Sequence, residues 1–377
     1  MRKSCQWYCS LKVTAWALIL IGVLSSCATG RKVHTWDPRS ETVLQIDSLC
    51  NLAIEHGHFP GLAIAVAHKG KIWDKGYGYA DLEKGIPVDP ATHLFRIGSI
   101  SKTVTAAALA REKERGTIDL DAPIVRYYSD VPEDKAQLSL RQIAGHLAGI
   151  RHYRGDEFFS RVHYTNVFDP LEVFIHDTLL FAPRTAFSYS TYGWTLISAV
   201  MEKATGKRFT DLVREDVSEP LHLSALRPDQ VDSTAYHRVM FYGPDTAAFV
   251  IAPFVDNSNK WAGGGFLCTA VDLARFGTAL SHPGFLKEKT MDEFMHSQAT
   301  SDGKPTGCGI GFFSGEKFGE TWYGHSGGSV GGTSMMLLIP DEKLVVITLV
   351  NLSGAQMDDL AGRIAKLVLG KNDDGHH

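Results

Sequence analysis

The octapeptide Phe95-Arg-Ile-Gly-Ser-Ile-Ser-Lys102 is the stretch from which the rest of the chain can be interpreted. Ser99 opens an alanine-rich run, 99–115, that predicts a helix ending at Gly116. Residues three positions apart share one face of a helix, so the amine of Lys102 would lie beside the hydroxyl of Ser99. A serine hydroxyl is a weak nucleophile until a neighbouring base takes its proton. The spacing therefore predicts Ser99 as a nucleophile and Lys102 as its base.

The same residues also have a plainer explanation, in which Ser99 only caps the helix and Lys102 lies at the surface. Ser-x-x-Lys by itself is a weak signal, because four-residue patterns of this kind occur by chance. Ser101 is a poorer candidate for the nucleophile, because adjacent side chains on a helix point about 100° apart. The catalytic interpretation therefore depends on partners elsewhere in the chain.

Two later segments supply such partners. Phe187-Ser-Tyr-Ser-Thr-Tyr-Gly-Trp194 contains Tyr189, which can relay a proton to a leaving group as a phenol or, if a nearby ammonium lowers its pKa, as a phenolate. Tyr323-Gly-His-Ser-Gly-Gly328 contains glycines that allow close backbone approach to a ligand and expose N–H groups for an oxyanion. His325 would add a hydrogen bond or a positive charge at the pocket wall.

The stretch Gly324-His-Ser-Gly-Gly328 also fits Gly-x-Ser-x-Gly, the nucleophile elbow of α/β-hydrolases, with Ser326 as nucleophile. That fold requires an acid and then a histidine downstream of the serine. The histidines after Ser326 are His376 and His377, and no strand–helix alternation precedes it. The elbow interpretation is therefore rejected.

Strand-like patterns near both chain ends, with helical patterns between them, predict the α+β fold class. One antiparallel sheet is expected from both chain ends, flanked by terminal helices, with an inserted mainly helical lobe and a cleft between the lobes. The predicted strands form two hairpins, and the predicted terminal helices follow the 3.6-residue period. These elements are strands at 62–68, 71–79, 334–339 and 344–350, and helices at 41–55 and 356–369.

The N-terminal 27 residues differ from the rest of the chain. Basic residues precede an apolar run that has signal-peptide length and is shorter than the ~20 residues of a membrane span. The run ends in Leu24-Ser-Ser-Cys27, which resembles a bacterial lipobox, so we expect Cys27 to carry a lipid. The alternative is an ordinary signal peptide or short anchor with a chance cysteine. The lipobox predicts a protein held by a lipid in the bacterial cell envelope, facing the periplasm or the cell surface.

The domain organisation expected from these patterns has four parts. Residues 1–27 form a lipoprotein signal peptide, 28–40 a tether, 41–370 the catalytic domain and 371–377 a tail. Within the catalytic domain, the α/β lobe takes about 41–98 and 300–370, and the helical lobe about 99–299.

Composition excludes several function classes. The net charge is −4 with both signs dispersed, so no basic stripe exists for nucleic acid and no nucleic-acid partner is expected. With the signal peptide removed and Cys27 lipidated, the remaining thiols are odd in number and widely spaced, which argues against a disulfide framework or a zinc site. Cys50, Cys268 and Cys308 are expected to act as small buried residues. No cofactor and no metal is expected.

Ser99-x-x-Lys102, Tyr189-Ser-Thr191 and His325-Ser-Gly-Gly328, in that order, resemble the three motifs of the penicillin-recognising, serine β-lactamase-like superfamily. This superfamily contains class C β-lactamases, D,D-peptidases and related esterases, and the resemblance covers about residues 45–368. The segments that look most like its mitochondrial serine β-lactamase-like members are 97–102, 149–153 and 255–265.

The resemblance implies an acyl-enzyme on Ser99, with proton transfer shared by Lys102 and Tyr189. It also implies an oxyanion hole made by the backbone N–H groups of Ser99 and Gly328. His325 stands where many members carry lysine and where esterase-like and protease-like members often carry histidine. The positions that would contact substrate are Thr191, Ser326 and Gly327.

Two departures from the family pattern shift the expected substrate. Thr191 replaces the usual asparagine, which removes an amide that would hold a β-lactam or a peptide. His325 weakens the fixed positive charge that a β-lactam carboxylate would meet, because histidine is only partly protonated near neutral pH. The expected function is therefore hydrolysis of a peptide, a D-amino-acid amide or an ester, by acyl-enzyme chemistry.

Two alternatives remain open: a true β-lactamase or D,D-carboxypeptidase, and a non-catalytic scaffold or filament-forming protein. The complete set of Ser99, Lys102 and Tyr189 speaks against the second, because binding alone needs no base beside a serine.

Other conspicuous residues have structural explanations. His146 and His152 flank a glycine-containing turn, and the triple glycine 263–265 favours tight backbone packing.

Overall fold

The computed structural model describes residues 40–57, 59–231, 237–245 and 249–371. The predicted signal peptide, Cys27, and most of the predicted tether and tail lie outside the described residues. Within the described ranges, no helix has the length and apolar character needed to cross a membrane.

The described helices and strands fall into the order expected from the sequence, with strands toward both ends and helices between them. The α-helices are α1 (Glu41–Gly57), α2 (Ser101–Arg115), α3 (Glu133–Ala136), α4 (Leu140–Ala144), α5 (Thr191–Thr205), α6 (Phe209–Val213), α7 (Trp261–Gly264), α8 (Ala270–Leu280), α9 (Glu288–Met295) and α10 (Leu360–Leu369). The strands are β1 (Gly61–His68), β2 (Lys71–Asp81), β3 (Ile86–Pro87), β4 (Phe95–Arg96), β5 (Arg227–Pro228), β6 (Tyr242–Pro244), β7 (Phe249–Ile251), β8 (Phe266–Cys268), β9 (Phe313–Lys317), β10 (Glu320–Ser329), β11 (Gly332–Ile339) and β12 (Leu344–Val350).

The principal sheet of the described part has seven strands in the order β3-β2-β1-β12-β11-β10-β9. Its centre is the antiparallel pair of β1 and β12, in which Ala65 lies opposite Ile347. The two chain ends therefore share one sheet, and the predicted α+β fold is confirmed. Both predicted hairpins are present, because each pair of β-prone runs is joined by a short turn.

The two faces of this sheet enter two different cores, because side chains alternate along a strand. From β1, Leu62, Ile64 and Val66 face a core that includes residues of α1 and α10. Ala63, Ala65 and Ala67 face the larger core, which also contains residues of the central helices. The flanking terminal helices are thus confirmed on one face, and the large helical part of the chain lies against the other.

Helix α8 packs on the sheet, although the sequence placed residues 270–280 in the helical lobe. Its Gly277 approaches β11 and β12 so closely that an added Cβ would lie 2.7 Å from Val345 and 2.8 Å from Leu338. The small side chains of Ala63 and Ala65 on the same face leave room for this approach. The predicted lobe boundary near residue 299 therefore does not hold for this helix.

The C-terminal helix begins later than predicted, at Leu360 and not near residue 356. Asp358 and Asp359 have φ values of +39° and +53°, in the left-handed region, which breaks the helical path before Leu360. The apolar periodicity of the sequence continues through this break and cannot reveal it.

Candidate active site

Ser99 lies in a 3-10 turn, Gly98–Ile100, that leads directly into α2. The sequence placed it as the first residue of the α-helix itself, so the prediction was wrong by this one turn. Gly98 has φ +49°, a conformation that favours glycine, and a Cβ there would lie 2.8 Å from the backbone nitrogen of Gly328. The turn and β10 therefore meet backbone to backbone, which places Ser99 beside the Gly-Gly segment.

Lys102, the second residue of α2, is completely buried, with its amine beside Ser99. The Lys102 Nζ lies 3.1 Å from Ser99 Oγ. It donates to the carbonyl of Gly263 at 2.5 Å and to Oγ1 of Thr191 at 3.2 Å. The predicted pairing of Ser99 with Lys102 is thus present in the structure.

The surroundings of Lys102 favour its neutral form. Burial pushes the pKa of this amine well below its usual range; Cys308 opposes this shift, and the positive charge of Lys260, a smaller effect, lowers the pKa further. A neutral amine has two N–H groups, and Gly263 and Thr191 accept both of them. The nitrogen lone pair then remains for the proton of Ser99, which is the arrangement a general base requires.

Tyr189 donates its hydroxyl hydrogen to Ser99 Oγ at 2.8 Å. Burial raises the pKa of this phenol above its usual value, and the hydrogen bond to Ser99 only partly opposes that effect. Lys102 Nζ lies 4.8 Å from the ring centroid of Tyr189, so the three predicted catalytic residues form one cluster. Of the two forms that the sequence left open, the geometry favours the phenol over the phenolate.

His325 lies on β10 with 2% of its surface exposed, and its ring borders the cavity beside Ser99. Burial lowers the pKa of this imidazole to about 3, and Lys102 contributes to the lowering. Its Nδ1 donates to the carbonyl of Ser326 at 2.5 Å, while its buried Nε2 has no partner among the described residues. His325 thus offers a hydrogen-bond acceptor at neutral pH and not the positive charge considered from the sequence.

Thr191 begins α5, whose first turn is capped by the Ser190 side chain, which accepts from the backbone N–H of Gly193 at 3.0 Å. The backbone N–H of Thr191 donates to His152 Nδ1 at 3.2 Å, and that of Ser190 donates to His146 Nδ1 at 3.1 Å. The two histidines therefore hold the segment that carries Tyr189, in agreement with their structural assignment. The ring of His152 also borders the cavity, which the sequence did not indicate.

A cavity of about 350 Å³ brings the predicted residues together. Gly328 and Ser326 border it, so the two residues predicted to form the oxyanion hole, Ser99 and Gly328, line the same cavity. Gly327 does not border this cavity: a Cβ there would lie 2.1 Å from the carbonyl oxygen of Ile97, so this glycine allows the turn to pack on β10. The cavity is lined by Ser99, His152, Tyr153, Phe158, Tyr189, Thr191, Lys260, Gly263, Gly264, Phe313, His325, Ser326, Gly328 and Ser329.

Several lining residues were missed from the sequence, above all Lys260 and Phe313. Lys260 precedes the triple glycine, whose packing role is confirmed, since a Cβ on Gly263 would lie 2.6 Å from Cγ2 of Thr191. No local pattern marks this lysine as part of the site. The signals that could have identified it are its proximity to the triple glycine and its place in segment 255–265, which resembles the mitochondrial serine β-lactamase-like members.

The rejected elbow is also absent from the structure, because Ser326 lies within strand β10, opposite Met335 of β11, and not on a strand-to-helix turn. The three cysteines expected to be buried are buried and free. In the part of the chain that the structure describes, no group of three or more His, Cys, Asp or Glu side chains could hold a metal ion.

Comparison with known proteins identifies the family of this chain. A family model described as Beta-lactamase matches residues 46–370, which is most of the chain. The chain belongs to the beta-lactamase family. The family's members are serine hydrolases, and Ser99 and Tyr189 of the cluster line the cavity described above.

Individual relatives within this family are moderately similar. The human protein named serine beta-lactamase-like protein LACTB, mitochondrial, is 28% identical, with 75% of this chain and 69% of the relative aligned. Penicillin-binding protein 4* of Bacillus subtilis is 24% identical over 79% of this chain and 69% of its own length.

Solved structures share the fold. The octameric penicillin-binding protein homologue from Pyrococcus abyssi superimposes with a TM-score of 0.75 at 24% identity, covering 88% of this chain and 78% of its own. D-amino acid amidase from Ochrobactrum anthropi SV3 superimposes with a TM-score of 0.75 at 22% identity, covering 88% of this chain and 99% of its own.

Proposed function

We propose that the protein cleaves a peptide, a D-amino-acid amide or an ester bond through an acyl-enzyme on Ser99. The observation that carries the proposal is the position of Ser99 Oγ, 3.1 Å from the Lys102 amine and 2.8 Å from the Tyr189 hydroxyl, at the edge of a cavity. A base of lowered pKa and a proton donor are thus both within hydrogen-bond reach of the nucleophile.

In the acylation step, the neutral amine of Lys102 takes the proton of Ser99 as the serine oxygen attacks the carbonyl carbon. The carbonyl oxygen becomes an oxyanion, for which the backbone N–H groups of Ser99 and Gly328 are the nearest candidates. Tyr189 gives its proton to the leaving nitrogen or oxygen, and the proton held by Lys102 restores the phenol. The acyl group then remains as an ester on Ser99.

Deacylation uses the same groups in reverse. A water molecule takes the place of the leaving group, loses a proton toward Tyr189 and Lys102, and attacks the ester carbon. The proton returns to Ser99 Oγ as the carboxylic acid leaves, so one water is consumed for each bond cleaved. No additional group is required.

The substrate class follows from the two departures at the site and from the relatives. Thr191 Oγ1 accepts from Lys102, so this side chain supports the base and does not present an amide to a ligand. His325 is neutral and contributes no fixed charge to β10. These features favour amide or ester substrates over β-lactams, and the name of one structural neighbour, D-amino acid amidase, supports that choice. A β-lactamase or D,D-carboxypeptidase is the alternative outcome of the test.

The test uses a fluorophosphonate probe and a labelled penicillin on the purified protein, its Ser99→Ala variant and a control, Ser129→Ala, whose exposed serine lies outside the cavity. We expect fluorophosphonate labelling of the native chain and the control but not of Ser99→Ala. Labelling by penicillin as well would favour the β-lactamase or D,D-carboxypeptidase alternative. Absence of Ser99-dependent labelling by both reagents would refute the hydrolase proposal and favour a scaffold.

We also propose that the protein is attached to the bacterial cell envelope by a lipid on Cys27. The support is the sequence motif at the end of the apolar run, Leu24-Ser-Ser-Cys27. The mammalian relatives are named mitochondrial, so the localisation depends on this motif alone. Fractionation of cells that express the Cys27→Ser variant tests it: the variant should leave the membrane fraction, and unchanged fractionation would contradict the lipid anchor.

A further inference from the structure

We propose that Lys260 is the anion-recognising group of the cavity and that the preferred acyl donors carry a carboxylate. The inference rests on the proposed function, because it names the substrate class of the Ser99 site. In this proposal, the substrate carboxylate is bound by a residue of the turn that precedes α7. It is not bound from β10, where position 325 holds a neutral histidine.

The lining of the cavity contains basic but no acidic side chains among the described residues. Burial lowers the pKa of His152 to about 4 and that of His325 to about 3, so both imidazoles are neutral near pH 7. The amine of Lys102 is occupied by Ser99, Thr191 and Gly263. Burial lowers the pKa of Lys260 only to about 8, so this amine stays mostly protonated near pH 7 and is the cation that the cavity offers to a ligand.

The environment of Lys260 contains an acceptor and two aromatic rings but no paired carboxylate. The residue is 4% exposed, and its Nζ donates to the carbonyl of Phe158 at 2.9 Å. The same nitrogen lies 5.2 Å from the ring centroid of Tyr153 and 4.9 Å from that of Phe158. These contacts leave two of its three N–H groups without an acceptor in the described structure. A buried ammonium in this state is stabilised strongly by an anion.

The carboxylates nearest to Lys260 already have other partners. Asp229 receives the guanidinium of Arg96 at 2.8 Å and that of Arg238 at 3.3 Å. Asp256 lies 2.8 Å from Nδ1 of His163. Neither acid forms an ion pair with Lys260 within 4 Å; both act on its ammonium only through longer-range attraction, so the position of a direct partner is left for a carboxylate that enters the cavity.

The chain holds this lysine on a buried turn that hydrogen bonds fix at three successive residues, although Oδ1 of Asn257 and Oδ1 of Asn259 have no partner in the described structure. The side-chain amide of Asn257 donates to Asp229 at 2.8 Å, and the backbone N–H of Ser258 donates to Asp256 at 2.9 Å. The carbonyl of Asn259 accepts from the Thr195 hydroxyl at 3.2 Å. A turn fixed at three successive residues positions the following side chain without a large loss of entropy on binding.

The same segment is joined to the catalytic base, which fixes the distance between anion recognition and chemistry. Lys260 immediately precedes α7, and the carbonyl of Gly263 in α7 accepts from Lys102. The ammonium of Lys260 and the nucleophile Ser99 therefore face one cavity from two segments that are directly hydrogen-bonded to each other. An acyl donor of suitable length would place its carboxylate at Lys260 and its carbonyl carbon at Ser99.

The inference is tested with the mono-p-nitrophenyl esters of succinate, glutarate and adipate, each of which keeps one free carboxylate. Each is compared with its uncharged twin, in which that carboxylate is a methyl ester. At the best chain length, we expect kcat/KM for the charged ester to exceed that of its twin roughly tenfold or more. Lys260→Met should bring this ratio close to one, and Lys260→Arg should retain part of it. Lys203→Met is the matched control, because Lys203 also lies over two aromatic rings, at 4.7 and 5.7 Å, but outside the cavity.

The ratio separates anion recognition from a general loss of catalysis, since the uncharged twin reports the latter. Two results would overturn the inference and leave the proposed function intact. One is Ser99-dependent hydrolysis with no preference for the charged ester, and the other is a preference that persists in Lys260→Met. If no ester is hydrolysed, ligand binding to the Ser99→Ala variant, measured by isothermal titration calorimetry, tests the inference. Monomethyl glutarate should bind more tightly than dimethyl glutarate, and only with Lys260 present; equal or absent binding of the two would overturn the inference.

Discussion

The hydroxyl of Tyr189 donates a 2.8 Å hydrogen bond to Oγ of Ser99, on an oxygen that the Lys102 amine approaches at 3.1 Å. Burial acts in opposite directions on the two neighbours, because it disfavours the charged form of each: it raises the pKa of the phenol and lowers that of the amine. A protonated donor and a neutral acceptor therefore flank the same serine oxygen. This arrangement poises Ser99 to lose a proton toward Lys102.

Removing the phenol hydroxyl should slow the reaction without unfolding the protein. Tyr189→Phe is expected to lower kcat by about 10²- to 10⁴-fold, the usual contribution of a positioned proton donor. Steady-state kinetics on a p-nitrophenyl ester measures it, with circular dichroism as the check on folding. Tyr192→Phe is the control, because it loses a hydroxyl that donates to Glu157 outside the cavity. Equal rates for Tyr189→Phe and the native chain would contradict the role of Tyr189.

The acid limb of the pH–rate profile should report the Lys102 amine. The base acts when deprotonated, and a lowered pKa allows deprotonation at a lower pH, so kcat/KM should reach its plateau below the usual lysine pKa. Lys260→Met removes a positive charge that lowers this pKa. We expect the limb to move to higher pH in that variant and to stay in place in Lys260→Arg. An unchanged limb in Lys260→Met would show that the two amines are not coupled.

His325 should remain neutral throughout the physiological range. Because its pKa is lowered to about 3, its ring resonances should not titrate between pH 5 and pH 8. Two-dimensional NMR of the histidine side chains measures this, with His325→Gln used for assignment. A midpoint near pH 6.5 for these resonances would mean that His325 does supply a positive charge to the cavity.

The hydroxyl of Thr191 is expected to support catalysis by accepting a hydrogen bond from the Lys102 amine. Thr191→Val keeps the shape of the side chain but removes the acceptor at 3.2 Å, which leaves a buried N–H of the amine unsatisfied at a cost of about 1–3 kcal/mol. We expect lower kcat and a reduced free energy of unfolding, measured by ester hydrolysis and urea denaturation. Thr278→Val, which loses a hydroxyl bonded within α8, should affect stability alone. Undiminished kcat in Thr191→Val would remove this residue from the support of the base.

Close backbone packing at Gly327 should make this position intolerant of any side chain. A Cβ would lie 2.1 Å from the carbonyl oxygen of Ile97 and 2.2 Å from Oγ of Ser334, so Gly327→Ala must displace the turn that carries Ser99. We expect a loss of about 1–3 kcal/mol in the free energy of unfolding, together with reduced labelling of Ser99. Gly243→Ala is the control, because its nearest neighbour would lie at an ordinary 3.8 Å. Equal stability of the two variants would contradict the close approach.

Some parts of the site were predictable because their determinants are local. Ser99 and Lys102 are three residues apart, so a helical turn brings them together whatever surrounds it. The order of Tyr189 and His325 along the chain matched a known pattern of motifs. The start of α10 was not predictable, because backbone conformations at Asp358 and Asp359 override an apolar pattern that continues through them.

The sequence by itself determined the α+β sheet and the pairing of Ser99 with Lys102, because strand alternation, short turns and helical spacing act over a few residues. Only the tertiary structure decided the charge state of the site. The carbonyl of Gly263 reaches Lys102 across 161 residues of sequence, and Lys260 enters the same cavity through that segment. Burial then makes Lys102 and His325 neutral, because removal from water disfavours the charged form of each side chain. How deeply a side chain is buried depends on the packing of distant segments, which no local sequence pattern encodes.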